Sequence, residues 1–298
     1  MEEIILSMGK MHSSMKRVLF TGSSGFIGRN ICPNLKKKCV MFTPQRHELD
    51  LNDELEVRTF IIKNKINIII HAANPNPARN NLDSLSMMCE ESIRMFMNLY
   101  NAQDCYERMY TLGSGAEFDK TKDIISISES DEFRSIPKDT YGFAKFVINK
   151  LVFSGSNQYN LRLFAVYGPT DHESKFITHA IRCCLAKEDI TIRQNCLFDY
   201  LHVSDLGKII EILIDKKLHY KTYNLCSGSK ISLYDIATEV KKQMKSKSNI
   251  VVMKSGMNKE YTGCNQRLLN EIGSYSFKGI QEGIAEQIDY EKSIWRKA

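Results

Sequence analysis

The chain has 298 residues, 43% of them hydrophobic, and 41 Lys+Arg against 35 Asp+Glu give a formal net charge of +6. That composition can fill one large core or two ordinary ones. The basic excess is scattered apart from residues 36–38 and Lys241-Lys242, which argues against a nucleic-acid surface and suits attraction of an anionic small molecule. Nine cysteines without a CxxC pair, Cys183 and Cys184 adjacent, fit neither a zinc site nor a secreted disulfide framework, so no metal site and a reducing, cytoplasmic setting are expected.

Apolar runs such as 66–73 are too short to span a bilayer, and residues 1–14, with two glutamates at their start, lack a secretory apolar region. Met8, Met11 and Met15 precede the first strand. The stretch 1–14 therefore reads as an upstream start or a disordered leader.

In chain order, residues 16–20 are a β-rich run that enters a glycine turn and then a helical stretch, 26–38, which Pro33 should kink. Buried strands are expected at 39–43, 66–71, 109–112, 161–165 and 223–226. Helical patterns at 51–64, 82–105, 141–153 and 206–216 lie between most of them. This alternation implies an α/β fold, a Rossmann-type doubly wound parallel sheet, because each crossover must pass over the sheet. After Gly168 the pattern loosens. A dinucleotide-binding domain is expected from 15–168 plus 196–226, with a smaller, interleaved C-terminal substrate domain from 169–195 plus 227–298.

Thr21-Gly22-Ser23-Ser24-Gly25-Phe26-Ile27-Gly28 fits GxxGxxG between the first strand and its helix. Glycines there allow a tight turn and close approach of a pyrophosphate, while the helix start presents free N–H groups to the anion. Gly22, Ser24, Gly25, Phe26, Ile27 and Gly28 are the cofactor candidates. A plain glycine-rich turn is the alternative.

Tyr141 and Lys145, four apart on an expected helix, project from one face. Hydride delivery to a carbonyl carbon leaves charge on oxygen, which a tyrosine hydroxyl neutralises by donating its proton. Free tyrosine titrates near ~10, so an adjacent ammonium is needed to bring it towards working pH. Ser114 follows the apolar run 109–112, at the strand end where open α/β sheets place ligands, and its hydroxyl can meet the substrate oxygen beside Tyr141. By themselves a YxxxK pair and a turn serine are commonplace; the 27-residue interval between Ser114 and Tyr141 and the glycine loop make them a set.

In order along the chain, TGSSGFIG, HAAN at 71–74, GSGAEF at 113–118, YGFAK at 141–145 and RLFAVYGP at 162–169 resemble the extended short-chain dehydrogenases/reductases that modify nucleotide sugars, of the NAD-dependent epimerase/dehydratase family. FDYLHVSDL at 198–206 and YNLCSG at 223–228 continue the resemblance more thinly. It implies Ser114, Tyr141 and Lys145 as catalytic residues, Lys145 also holding the nicotinamide ribose, and Ala72 and Ala73 near the cofactor. The segment 46–53 resembles the GDP-fucose synthase branch, in which Arg46 would meet the 2′-phosphate of NADP, with NAD the alternative cofactor, and Asp50 and Leu51 would flank the adenine. A homodimer is implied by the same resemblance.

Departures from that branch shape the substrate expectation. Ala116 stands where the branch has an epimerising cysteine, and Lys175 where it has a histidine, unless His172 or His179 takes that place. Ala165 replaces a substrate-contacting asparagine and Phe198 a diphosphate-binding arginine. Ser114, Gly115, Lys175, Arg182 and Arg193 are therefore the substrate candidates. The expectation is NADPH-dependent reduction of a 4-keto (6-deoxy) sugar nucleotide without epimerisation. The alternatives are an NAD-dependent nucleotide-sugar 4-epimerase and a non-catalytic dinucleotide sensor or scaffold.

Overall fold

In the computed structural model, residues 15–75 and 85–296 are described. The first half runs β1 (Arg17–Thr21), α1 (Phe26–Leu35), β2 (Val40–Phe42), α2 (Glu54–Lys63), β3 (Ile68–His71), α3 (Leu85–Asn101), β4 (Arg108–Ser114), β5 (Ile124–Ile127) and α4 (Thr140–Ser154). There follow β6 (Gln158–Leu163), β7 (Ala165–Tyr167), α5 (Phe176–Ala186), β8 (Ile190–Asn195), β9 (Leu197–His202), α6 (Val203–Asp215) and β10 (Thr222–Leu225). The chain closes with β11 (Lys230–Ser232), α7 (Leu233–Met244), β12 (Ile250–Met257), β13 (Tyr261–Gly263), α8 (Gln266–Ile272) and α9 (Ile280–Trp295).

Six parallel strands in the order β10-β6-β4-β3-β1-β2 form the main sheet. Its strands alternate their burial between two faces. Val18 and Phe20 face the side covered by α1 and α6, while Leu19, Ile69 and Met109 face α2, α3 and α4. This is the doubly wound sheet expected from the alternating pattern. From β1 the chain turns to β2 on one flank and then returns to β3 on the other, which makes the carboxyl ends of β1 and β3 the switch point where such sheets hold ligands.

Local chemistry sets the helix starts. Asp53 caps α2 by accepting the Glu56 N–H, and Asp139 caps α4 by accepting the Gly142 N–H at 3.0 Å. Helix α1 passes through Pro33 and ends two residues later, short of the expected 38. In this last turn the missing proline N–H costs one i→i−4 bond, the one to residue 29, where the helix is about to end.

Two other ends differ from expectation. The run expected at 82–105 resolves into α3 and a separate 3-10 turn, Gln103–Cys105, with residues 82–84 outside the described residues. The strand expected at 161–165 begins earlier, at Gln158, and stops at Leu163. Phe164 turns into a small cluster with Phe118, Ile124, Ile127 and Cys226, and the chain leaves the main sheet as β7 to pair with β9. Strand β9, grouped by sequence with the dinucleotide domain, lies in a second sheet ordered β11-β9-β13-β5, and β12 pairs with β8 apart from both. The leader 1–14 lies outside the described residues.

Candidate active site

The glycine loop is shaped by contacts that no side chain could share. Gly22 has φ +74°, and a Cβ there would stand 2.8 Å from the Ala73 Cα. A Cβ on Gly28 would come within 2.4 Å of the Ser23 Cα, so α1 packs backbone to backbone on the loop. The Ala73 N–H donates to the Thr21 hydroxyl at 3.3 Å, which ties the end of β3 to the same turn. The first turn of α1 carries no acid, and its N-cap Gly25 supplies no side-chain acceptor. The N–H groups around Phe26 and Ile27 could therefore meet an exogenous anion, a geometry suited to the diphosphate of a dinucleotide.

Other cofactor candidates sit around this cradle. Ser23 reaches the Thr43 carbonyl at 3.5 Å, which places the turn after β2 beside the loop, and Arg46 is exposed on that turn. Asp50 accepts from the Asn52 backbone at 3.0 Å, while Leu51 is buried in the core against α2 and α3.

Ser114 ends β4, the neighbour of β3, and is buried. Tyr141 and Lys145 occupy successive turns of α4, both buried, with the Lys145 Nζ 5.9 Å from the Tyr141 ring centroid. That ammonium donates to the Leu112 carbonyl at 2.9 Å, which pins α4 to β4. A Cβ on Gly142 would stand 2.7 Å from the Ala116 carbonyl, and Tyr141 packs with Ala116 and Met88. The structure therefore brings Ser114, Tyr141 and Lys145 into one neighbourhood at the carboxyl end of the sheet. Beside them His71 is buried, its Nδ1 2.8 Å from the Thr21 Oγ1. Burial, and secondarily the charge of Lys145, lower its pKa to about 3, so the ring is neutral.

The substrate candidates are more dispersed. Gly115 abuts Tyr261, whose Oη would lie 2.6 Å from a Cβ placed there. Tyr261 also meets Phe164 and Phe198, with ring centroids 5.3 Å and 5.7 Å away. The position expected to lack its diphosphate-binding arginine thus carries part of an aromatic wall. Lys175 occupies the N-cap of α5 and Arg193 is exposed on β8. Arg182 is held between Glu173 at 2.6 Å and Glu291 at 2.8 Å. His172 Nδ1 lies 2.9 Å from the Ser174 Oγ, and His179 Nε2 3.6 Å from the Cys183 Sγ.

Sequence reasoning missed Glu117, Arg162 and Tyr261. The signal for Arg162 was present in Leu161-Arg162-Leu163, a charged residue in an apolar strand, which requires a buried partner. Its partners are Glu117 at 2.8 Å and Glu132 at 3.1 Å. Among the described residues no group of three or more His, Cys, Asp or Glu could hold a metal, and no helix is long and apolar enough to cross a membrane. All nine cysteines are free.

A doubly wound sheet with a glycine cradle at its switch point, and a serine, tyrosine and lysine at the adjoining strand end, defines an extended short-chain dehydrogenase/reductase. The chain belongs to the NAD dependent epimerase/dehydratase family, whose model matches residues 18–226. It is 26% identical to the GDP-6-deoxy-D-talose 4-dehydrogenase of Aggregatibacter actinomycetemcomitans, across 91% of this chain and 96% of that one. It is 24% identical to the GDP-L-colitose synthase of Yersinia pseudotuberculosis, across 92% of this chain and 97% of that one. Among solved structures, the GDP-L-fucose synthetase of Naegleria fowleri bound to NADP matches with a TM-score of 0.82 at 16% identity, covering 95% of this chain and 94% of the other.

Proposed function

We propose that the protein reduces the 4-ketone of a 6-deoxy sugar nucleotide with NADPH and leaves the neighbouring stereocentres unchanged. The observation that carries this reading is the apolar Ala116, packed against Tyr141 two residues beyond Ser114. The relatives named for GDP-6-deoxy-D-talose, GDP-L-colitose and GDP-L-fucose support the substrate class, and the one bound to NADP supports the cofactor.

The glycine cradle and Arg46 would hold NADPH, which would supply the hydride to the carbonyl carbon. Tyr141 donates its phenolic proton to the oxygen, and Lys145 makes that donor stronger by favouring the tyrosinate left behind, which regains a proton from solvent. The Ser114 hydroxyl hydrogen-bonds the same oxygen. Arg46 meets the 2′-phosphate with a guanidinium fork. Lys175, Arg193 and the aromatic wall at Phe198 and Tyr261 face the sugar nucleotide. Epimerisation beside a ketone requires one group to remove a proton and another to return it on the opposite face, and Ala116 has no proton to exchange.

The test is NADPH consumption against a panel of 4-keto-6-deoxy sugar nucleotides, with products read by NMR in D₂O. Expected is a product with its C3 and C5 configuration retained and no enzyme-dependent deuterium at either carbon. Enzyme-dependent deuterium would assign the missing chemistry to another residue, His172 or His179 first. Turnover of a sugar nucleotide by protein carrying tightly held NAD, with no cofactor added, would replace this reading with a 4-epimerase.

A further inference from the structure

Beneath Ser114 lies a buried ionic cluster that the proposed chemistry does not use. Glu117, three residues beyond Ser114, is 3% exposed, and Arg162 on β6 is 0% exposed. One Glu117 oxygen accepts the Ser114 N–H at 2.9 Å. The other accepts the Arg162 Nε–H at 2.8 Å and the Asn160 side-chain N–H at 3.1 Å. Arg162 is fixed in turn by Glu132 at 3.1 Å and by the Asn224 carbonyl oxygen of the side chain at 2.9 Å. The Asn160 amide also donates to Asn149 at 2.9 Å, and Asn149 stands one turn beyond Lys145 on α4. The Phe118 ring lies 4.5 Å from the Arg162 guanidinium carbon, so the turn Gly115–Phe118 gives Arg162 both a carboxylate and an aromatic face.

A buried ion pair is a costly way to hold a turn, since well-packed apolar residues are often as stable in the same volume. What apolar residues cannot do is aim a hydroxyl. The Ser114 Oγ accepts the Ala116 N–H at 3.2 Å, reciprocal to the Ser114 N–H on Glu117. A serine hydroxyl has one proton and two lone pairs, so an Oγ already accepting on its backbone side presents its O–H elsewhere.

We propose that Glu117, anchored by Arg162, is a positioning residue that holds the Ser114 turn so that the hydroxyl keeps its proton for the substrate oxygen, in register with the helix bearing Tyr141 and Lys145. The catalytic part of this inference rests on the reductase reading; the positional part does not.

Two measurements separate them. In E117Q the side chain keeps its shape but sets an amide against the Arg162 donors. We expect kcat to fall on the order of 10- to 100-fold, the scale of a sub-ångström to ångström misplacement. KM and NADPH affinity should stay within about two-fold, and S114A/E117Q should be no slower than S114A. An equal loss in both backgrounds would mean that Glu117 does not act through Ser114. Independently of any substrate, hydrogen exchange at the Ser114 N–H should accelerate in E117Q while protection in β1 and β3 is unchanged. Unaltered exchange at Ser114, or a uniform loss across the protein, overturns the inference. If E117Q does not fold, E117D, which retains the charge for Arg162 but withdraws the acceptor from Ser114, carries the same cycle. A wild-type protein that reduces nothing on the panel refutes the reductase reading and leaves the exchange measurement to decide this one.

Discussion

Around Gly22 and Gly28 the cleft is made of backbone packed so closely that an added Cβ would stand 2.8 Å and 2.4 Å from neighbouring backbone atoms. Around Ser114 it is made of side chains, held by a carboxylate and a guanidinium with 3% and 0% exposure. The first construction suits any bearer of a diphosphate, because main-chain N–H groups do not discriminate between them. The second depends on individual charges and hydroxyls, each with its own partner. Substitutions should therefore divide, cofactor grip responding chiefly to the loop and turnover to Ser114 and Tyr141, with Lys145 bearing on both.

The largest expected effect tests that division directly. Tyr141→Phe removes one oxygen from the side-chain half and nothing from the cradle. Turnover should drop by roughly 10² to 10⁴, the range for losing a general acid, while the fold and NADPH affinity, read by thermal unfolding and fluorescence titration, remain near wild type. Near-normal turnover in the variant would remove Tyr141 from the chemistry, and a parallel loss of NADPH affinity would show that the two halves are not separable.

A smaller effect sharpens the comparison by adding a side chain to the backbone half. Arg46 is exposed on the turn after β2 and is the residue proposed to recognise the 2′-phosphate. Arg46→Ala should weaken NADPH binding by about 1.5 to 3 kcal/mol, the range for a hydrogen bond to a charged group, and leave NADH binding unchanged. Equal losses for both cofactors in isothermal titration would show that Arg46 supports the loop without reading the phosphate.

The same contrast explains how much was legible in the sequence. Gly22, Gly25 and Gly28 announce their turn because the constraint is local, and Tyr141 with Lys145 declares a shared face through helical period alone. Gln158 and Asn160 concealed the start of β6, since polar residues in a strand look exposed until their partners are known, and here both are buried. Arg162 pairs with Glu117 and Glu132, 45 and 30 residues away, a distance over which no spacing rule operates. The pairing of Arg182 with Glu291, on the last helix, likewise cannot be placed without the tertiary fold. The side-chain half was proposed mainly through the resemblance of GSGAEF and YGFAK to a family, and the buried pair Glu117–Arg162 beneath it was not anticipated.

The two halves meet at His71, which bonds Thr21 beneath the glycine loop and lies in the field of Lys145. Its folded pKa of about 3, against an ordinary 6.5, fixes the sign of a stability effect. Above pH 6.5 the imidazole is neutral in both states and contributes no pH dependence. Between 6.5 and 3 the unfolded chain binds a proton that the folded chain refuses, so stability falls as the solution is acidified, with a limiting slope of about 1.4 kcal/mol per pH unit for one group. His202, lowered to about 4 chiefly by its own burial, adds a second slope of the same sign over a narrower window. Urea unfolding at pH 7.5, 6.0 and 5.0 should therefore show a midpoint that moves downward with acid in the wild type. In His71→Asn, which can still hydrogen-bond Thr21 but does not titrate, the decline should be shallower by up to that single-proton slope while the His202 component persists. An unchanged slope would mean that folded His71 takes up its proton over the same range as the unfolded chain, so that burial does not hold the imidazole neutral.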